Sequence, residues 1–482
     1  MTTAREVAVD VLTAARTANA WAAELVDDHL ARAKLSPQDR RFVTQLVFGV
    51  IRRKATLDAL LKPFVSRPFH TVEPAVVDVL RLGAFQLALL THVPKHAAVF
   101  ETVNLARHVG SRMARGFVNG VLRRIAETMT DEFVDHPGKD TIPFDGGVLA
   151  SRERQRPEGP PEGAPLVADA PGSPGRYRKL TRDLFPDPAA DPPGYLAAAF
   201  SWPRWLADRW LARYDRDECF RLGFWFNAPP PLWLRVNKLK LDRESYRLVL
   251  AAKGIDTEPG EHPQSLHLLE GASVRELPGY AEGEFTVQDL SSMAVATAVN
   301  PQPGWRVLDL CAAPGGKTTH LAELMHNRGQ IVACDIDPKR LDTVTALCQR
   351  LGVSIVEPHL LDKEDTNPPA GPFHAALVDV PCSNTGVLGR RPEVRWRLRP
   401  NEFEDLIRLQ TRLLFTALDR VKPGGVVVYS TCSVEPDENE GVVKAVRRAI
   451  KGLTVEAEGH AIPGRPADGG YWARLRMPPH AG

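Results

Sequence analysis

The sequence predicts a multidomain protein: an all-α N-terminal domain, a small α+β module, and a C-terminal domain built as a doubly wound parallel α/β sheet. Three observations carry this. Residues 1–135 show apolar residues almost only at helical spacing. Residues 137–194 hold 12 Pro and 8 Gly, 20 of 58 positions, more than a packed core tolerates, so 136–194 is expected to be linker. From about 285 onward, short apolar runs alternate with helix-spaced segments. A chain of 482 residues is in any case too long for one hydrophobic core.

In the first domain, Ser36-Pro37 with Asp39 is an N-cap followed by a first-turn proline and acid, and Phe42, Leu46, Val47 and Val50 follow at core spacing. Val76 to Leu90 is apolar all round and is expected to be the central helix. Val99, Val103 and Ala106 mark one face of the next helix, and Phe117, Val118, Val121, Leu122 and Ile125 line another. The net charge of the whole chain is +2, yet from Met1 to Glu127 there are 18 Lys and Arg against 11 Asp and Glu. Basic pairs at Arg40-Arg41, Arg52-Arg53-Lys54 and Arg123-Arg124 make this domain a candidate for binding the RNA backbone, against the alternative of a solvated face.

Lack of order is expected from roughly 145 to 178, where Arg152, Arg154, Arg156, Arg176 and Arg178 suit solubility or a brush against RNA. Leu196 to Trp210, with Trp202, Trp205 and Trp210, predicts a helix with aromatic anchors. The module from 195 to 284 then continues with a strand at Leu232–Asn237 and a helix at Asp242–Lys253. Arg235 and Asn237 are candidates for nucleotide or phosphate contact as well as for a structural role.

The last domain, 285–482, has strands expected at Val307–Leu310, Ile331–Cys334, 354–357, Ala375–Val378 and Val426–Ser430. Its first strand runs into V-L-D-L-C-A-A-P-G-G-K-T, where the apolar run closes at Asp309 and turns through Gly315 and Gly316 into a helix. Open α/β sheets bind ligands at this strand end, and glycines admit a ligand that a Cβ would exclude. G-x-G-x-x-G is absent, and the first glycine of a G-x-x-x-x-G-K-T loop falls on Cys311, so neither phosphate fingerprint is complete. An acidic strand end with a glycine turn suits S-adenosylmethionine, which offers a cationic methionine part and ribose hydroxyls. Cys311, Ala312, Ala313, Pro314, Gly315, Gly316 and Lys317 are therefore candidate cofactor residues. The other strand ends add Asp335 for the ribose, Asp362 on the adenine side, and Asp379.

The fourth and fifth strands also end near Cys382 and Cys432. The other strand-borne thiol, Cys334, and Cys348 read as small core residues. A thiolate adding to carbon 6 of a pyrimidine turns carbon 5 into a nucleophile able to accept a methyl group, and this needs an ionised cysteine and an acid near the ring nitrogen. Asp379 is placed for the second task, and position alone leaves either cysteine as the one that adds.

D-L-C-A-A-P-G-G-K-T, D-V-P-C-S-N-T-G-V and Y-S-T-C-S-V-E-P-D-E-N-E together resemble the RsmB/Sun family of RNA (cytosine-5) methyltransferases. V-P-K-H-A-A-V-F-E-T-V-N-L-A-R with F-V-N-G-V-L-R-R resembles the NusB-like helical RNA-binding domain, and L-R-V-N and V-Q-D-L-S-S point to the bacterial ribosomal RNA branch. The resemblance implies a Rossmann-like methyltransferase domain with Cys432 as nucleophile, Cys382 assisting product release and Asp379 contacting the cytosine. It also implies that residues 311–317, Asp335, Asp362 and Asp379 hold S-adenosylmethionine. Val380 stands where the family usually has Ala. Gly389 to Arg399, with five Arg and Trp396, reads as a phosphate clamp and base-stacking loop beside the site.

Six cysteines without C-x-x-C argue against a zinc site or disulfide framework, and no metal is expected. No apolar run reaches membrane-spanning length, and Met1 to Ala15 lacks the layout of a signal peptide, so a cytoplasmic monomer acting on RNA without a membrane partner is expected. The rivals are a catalytically idle RNA-binding factor, against which the two cysteines and Asp379 stand, and a methyltransferase for transfer RNA or protein.

Overall fold

The computed structural model describes residues 2–17, 20–109, 114–144, 176–269, 273–362 and 367–479. They cluster into two compact units, Met1–Pro230 with Leu388–Arg397, and Pro231–Val387 with Leu398–Gly482.

The first unit opens with seven helices: α1 (Ala4–Thr17), α2 (Ala22–Arg32), α3 (Pro37–Arg52), α4 (Lys54–Leu61), α5 (Pro74–Leu89), α6 (Lys95–His108) and α7 (Ala114–Thr128). α5 is central as expected, with 13 of its 16 residues buried, because its apolar residues cover the whole circumference. α3 begins where the cap predicts, the Asp39 N–H donating to Ser36 Oγ at 3.1 Å. In α6 the buried face is Ala98, Thr102, Leu105 and Ala106, not the Val99–Val103 line, and Phe100 is 65% exposed. Small residues face α5 there, and Gln86 Nε2 donates to Thr102 Oγ1 at 3.2 Å. Of the basic pairs, Arg41, Arg123 and Arg124 are exposed, whereas Arg52 and Arg53 are buried.

Three antiparallel strands follow, β1 (Met129–Val134), β2 (Thr141–Phe144) and β3 (Arg176–Leu180), in the order β1-β3-β2. The helix-only stretch therefore ends at Met129, and part of 136–194 is folded rather than linker. The Pro and Gly count averages over the segment and hides the T-I-P-F and R-Y-R-K-L runs. Residues 145–175, where lack of order was expected and where Arg152, Arg154 and Arg156 fall, lie outside the described residues. Arg178, expected at the edge of that region, is buried: its guanidinium donates to the carbonyls of Thr130, Leu87 and Ala88 and pairs with Asp131 at 3.1 Å. α8 (Pro192–Ala199), α9 (Arg204–Leu211) and α10 (Arg216–Asn227) complete the series. The single helix expected over 196–210 is broken by Ser201, at φ 61°, and Pro203, while Trp202 and Trp210 pack edge to face at 4.8 Å. The module expected at 195–284 is thus divided, its part up to Pro230, with α8 to α10, clustering with the first unit and the part from Pro231 with the second.

The second unit begins with β4 (Leu232–Val236), α11 (Arg243–Ala251), β5 (Thr257–Pro259), β6 (Ser265–Leu268) and β7 (Phe285–Val287). The strands form an antiparallel sheet, β5-β6-β4-β7, over a core of Leu234, Val236, Tyr246, Leu250, Leu266 and Phe285. Then come α12 (Leu290–Val299), β8 (Arg306–Asp309), α13 (Gly316–Leu324), β9 (Gln330–Asp335), α14 (Pro338–Leu351), β10 (Val356–Leu360), β11 (Phe373–Asp379), α15 (Val394–Arg397), α16 (Glu402–Leu418), β12 (Val421–Thr431), α17 (Glu440–Ala449), β13 (Thr454–Ala461) and β14 (Gly470–Arg476). The seven-stranded sheet runs β10-β9-β8-β11-β12-β14-β13, parallel from β10 through β12 and closed by an antiparallel pair. Alternate residues feed two cores: Leu308, Val332, Ala376 and Val427 on one face, Val307, Ile331, Leu377 and Val428 on the other. β13 and β14 were not expected; β13 is an edge strand with mostly exposed polar residues and so carries no apolar signature.

Leu388–Arg397 lies between β11 and α16 in the chain but packs in the first unit. This takes Arg395 and Trp396 out of the phosphate clamp expected there, while Arg391 and Arg399 are exposed. Arg395 is 1% exposed, and its guanidinium donates to the carbonyls of Arg52, the last residue of α3, of Phe200, just after α8, and of Phe226, near the end of α10, as well as to Asn227 Oδ1. Three helix C-termini, each with free carbonyls and a partial negative charge, converge on one cation. Trp396 Nε1 donates to the Ile51 carbonyl and its ring lies under Lys54 Nζ at 5.1 Å, so Trp396 is engaged within the unit rather than presented for stacking. Arg395→Ala would leave these carbonyls without a donor and is expected to lower stability by about 2–4 kcal/mol, read from urea unfolding of the full chain. An unchanged midpoint would contradict this capping role.

Candidate active site

The candidate residues from 309 to 432 converge at the carboxyl ends of β8, β9, β11 and β12, within the second unit. Asp309 ends β8 and is fully buried, with Thr318 Oγ1 donating to its Oδ2 at 2.7 Å, while its Oδ1 has no hydrogen-bond partner among the described residues. Burial above all, and then the charges of Asp379 and Asp335, push its pKa up to about 7 against the pull of Thr318 and Lys317. Cys311 to Lys317 turn from this strand into α13. The Ala312 N–H donates to the Cys334 carbonyl and the Gly315 N–H to the Ala312 carbonyl, both at 2.8 Å. Gly315 sits at φ 101°, where a Cβ would be strained and would press on Val344 at 3.2 Å.

Asp335 ends β9 and is 4% exposed; its carboxylate accepts from the Asp337 N–H and pairs with Arg340 at 3.1 Å. Arg340 also donates to the Ala313 carbonyl at 3.0 Å, tying the second strand end to the glycine turn. Asp362 follows β10 by two positions, half-buried, its N–H donating to Asn367 Oδ1. Asp379 ends β11 and is held from two sides, by Lys317 Nζ and by Ser430 Oγ, each at 2.7 Å. Burial disfavours the Lys317 ammonium, but the charge and hydrogen bond of Asp379, with Cys432 and Asp309 behind them, outweigh it and raise its pKa.

Cys382 and Cys432 meet with their Sγ atoms 3.3 Å apart. Their hydrogen bond first, burial second, and the charges of Cys432 and Glu438 after that, push the Cys382 thiol well above its ordinary value. Either sulfur can be the donor in this contact, and the direction of the Cys382 shift favours the proton on Cys382. Cys432 Sγ is also 3.3 Å from Asn384 Oδ1, to which its own proton is donated when it carries one. Asn384 has φ 58°, and its Nδ2 donates to the Cys382 carbonyl at 2.7 Å. Gly386 leaves room for the backbone of Cys432: its N–H donates to the Cys432 carbonyl at 3.0 Å, and a Cβ would come within 2.8 Å of that oxygen. The hydroxyls of Thr431 and Ser433 bond instead to Asn439 and Glu438. Cys334 and Cys348 are buried core residues as expected.

Arg235 and Asn237, candidates for nucleotide contact, are fully buried. Arg235 pairs with Glu323 at 2.7 Å and donates to the Gly316 carbonyl, Thr319 Oγ1 and Gln288. Asn237 Nδ2 donates to the carbonyls of Gly283 and Leu351. Both are structural, and Arg235 braces the start of α13. Sequence reasoning missed Arg340, Ser430 and Asn384; each lies within five residues of a strand-end Asp or Cys, and only the fold gives that nearness meaning.

Family models describe residues 2–127 as NusB family, 202–275 as a ferredoxin-like domain of the RsmF/B-like methyltransferases, and 296–465 as 16S rRNA methyltransferase RsmB/F. A protein from Synechocystis named probable ribosomal RNA small subunit methyltransferase B is 34% identical over 448 residues, covering 92% of this chain and 89% of the relative. The chain belongs to the RsmB/F methyltransferase family. A Bacillus subtilis relative of this RsmB/F family, with the same probable name, is 31% identical over 92% of this chain and 88% of its own length. The crystal structure of NSun6 from Pyrococcus horikoshii with SFG, an S-adenosylmethionine analogue, covers 59% of this chain and 99% of its own at TM-score 0.54 and 23% identity. A methyltransferase homolog from the same organism covers 58% and 96%, at TM-score 0.51 and 28% identity. S-adenosylmethionine is the cofactor that a methyltransferase of this RsmB/F family calls for. The residues present fit it: a glycine cradle at 315–316, the unpartnered Oδ1 of Asp309 and the Asp335 carboxylate offer acceptors to a cationic, hydroxyl-rich molecule. Among the described residues no group of His, Cys, Asp and Glu is placed to hold a metal, and no helix is long and apolar enough to cross a membrane.

Asp309 also makes a pH prediction. Its folded pKa lies above the unfolded value near 3.9, so the native state keeps a proton that the unfolded chain loses, and stability falls as pH rises from about 4 to 7. Asp309→Asn removes that loss. Its unfolding free energy relative to the parent is expected to climb by up to about 4 kcal/mol across the window in cofactor-free protein. Parallel profiles for the two proteins would contradict the buried, raised carboxyl.

Proposed function

We propose that this protein transfers a methyl group to carbon 5 of a cytosine in RNA, through a covalent bond between Cys432 and carbon 6 of the base. The observation that carries it is the pair of thiols in contact at 3.3 Å, beside the Lys317–Asp379 pair at the same strand ends. An isolated thiol is mostly un-ionised at pH 7. Here the Cys382 S–H and the Lys317 ammonium both favour negative charge on Cys432. The relatives are named for small-subunit ribosomal RNA, which is the substrate proposed. A base in RNA must leave its stack to be reached, at a cost of about a few kcal/mol.

Bound at the cradle, S-adenosylmethionine would supply an electrophilic methyl on a sulfonium. Cys311 to Lys317, Asp335 and Asp362 would hold it, with Asp379 reaching both cofactor and cytosine. Addition of the Cys432 thiolate forms the sulfur–carbon 6 bond and pushes electron density to carbon 5. Asp379, whose two oxygens are fixed by Lys317 and Ser430, would orient the pyrimidine edge. Once Cys432 is bonded to carbon, its negative charge and its acceptor strength towards Cys382 are gone. The leading cause of the raised Cys382 pKa goes with them, while burial and Glu438 still act, so loss of its proton to solvent becomes easier and leaves a thiolate able to act as the base for release. Carbon 5 would take the methyl as its bond to the sulfonium breaks; release then passes the carbon 5 proton to the Cys382 thiolate, breaks the sulfur–carbon 6 bond and returns the electron pair to Cys432.

Substitution of each cysteine tests the reading with a fragment of ribosomal RNA and S-adenosylmethionine. Cys432→Ala is expected to abolish methyl transfer and form no adduct. Cys382→Ala is expected to trap a covalent protein–RNA complex, seen as a shifted band on a denaturing gel. The opposite pattern exchanges the two roles, and no adduct with either variant contradicts a covalent route.

A further inference from the structure

Six residues after Cys432 stands Glu438, which is 0% exposed. One of its oxygens accepts from the Ser383 N–H at 2.8 Å and from Gln410 Nε2 at 2.9 Å; the other accepts from Ser433 Oγ at 2.6 Å and from the Ser383 hydroxyl. Ser383 is the residue after Cys382, and Ser433 is the residue after Cys432. One carboxylate therefore grips both cysteine-bearing turns, at the same position in each. The two hydroxyls are 3.1 Å apart and Thr385 Oγ1 bridges them, at 3.2 Å from Ser383 and 3.1 Å from Ser433. Asn439 secures Cys432 from its other flank, accepting from Thr431 Oγ1 at 2.6 Å and donating to the Ser433 carbonyl at 3.0 Å.

All four of these donors to Glu438 are neutral. Burying a carboxylate among neutral groups is costly, and apolar packing would serve a purely structural end at less expense. The Ser383 N–H and Gln410 Nε2 can only donate and both reach one oxygen, while the two hydroxyls reach the other, so it is the two oxygens of one side chain that tie the turns together. Glu438 also contributes, after the Cys432 hydrogen bond and burial, to holding the proton on Cys382. Its backbone carbonyl accepts from Tyr429 Oη at 2.6 Å, which fixes it to β12.

We infer that Glu438 is a positioning residue shared by the two cysteines, holding the Cys382 turn against the Cys432 turn so that release of the methylated base follows addition. This rests on the two-cysteine reading above, and the test separates the two. In the full chain, Glu438→Ala removes both oxygens that grip the turns, and Ser383→Ala removes the hydroxyl bond on the Cys382 side alone. Both variants should bind S-adenosylmethionine as the parent does, because the glycine cradle and Asp335 are untouched. Both should slow multiple turnover by about tenfold or more and accumulate a denaturation-resistant RNA adduct approaching that of Cys382→Ala, which loss of folding would not produce. Should Glu438→Ala fail to fold by circular dichroism, Ser383→Ala decides by the same measure. Parent-like turnover without adduct, alongside an adduct with Cys382→Ala, overturns the role of Glu438 alone. Absence of an adduct with Cys382→Ala itself overturns the two-cysteine reading and this inference with it.

Discussion

The site depends on the parallel pairing of β11 with β12. Parallel strands bring their carboxyl ends to one edge, and this register sets Asp379 opposite Ser430, so that the turns leaving both strands start from neighbouring points. Cys382 lies three residues beyond Asp379 and Cys432 two beyond Ser430. A one-residue slip in this ladder would turn every side chain to the opposite face and part the thiols. The same sheet edge carries Asp309 and Asp335 on β8 and β9, so one backbone constraint sets the cofactor cradle and the thiol pair together.

Charge around that edge is arranged by enclosure. Asp309 is buried with one oxygen unpartnered, Asp379 is shared by a lysine and a serine, and Arg235 with Glu323 forms a fully buried pair under the start of α13. Buried ion pairs contribute little net stability once desolvation is counted, but they fix geometry, since losing either partner strands a charge. Arg235 donates to the Gly316 carbonyl, so the antiparallel sheet β5-β6-β4-β7 braces the cofactor turn through a single side chain. Arg395 applies comparable logic in the first unit, where a guanidinium stands in for water at three helix ends.

Much of the parallel sheet was legible because its signals are local. Apolar runs ending in Asp at 309, 335 and 379, the cap at Asp337-Pro338 and the glycine turn at 315–316 each report a backbone state through a few adjacent residues. The part that was not legible depends on partners distant in sequence. Arg235 and Arg395 look alike as strand-end or loop arginines, and nothing near them announces Glu323 or the ends of α3, α8 and α10. The strands at 141–144 and 176–180 were hidden by composition averaged over a Pro- and Gly-rich segment, and β13 by its polarity. In the site, the two cysteines could be named from their flanking turns, but their contact at 3.3 Å and the burial of Cys382 follow only from the fold, which a linear pattern does not carry.

The proposed reaction places a methyl group on carbon 5 of a cytosine in small-subunit ribosomal RNA. Bisulfite sequencing of that RNA from cells lacking the protein measures it most directly, because 5-methylcytosine resists conversion where cytosine does not. The account predicts one or a few cytosines that lose protection when the protein is absent and regain it when the parent chain is restored. A protection pattern identical with and without the protein would contradict it.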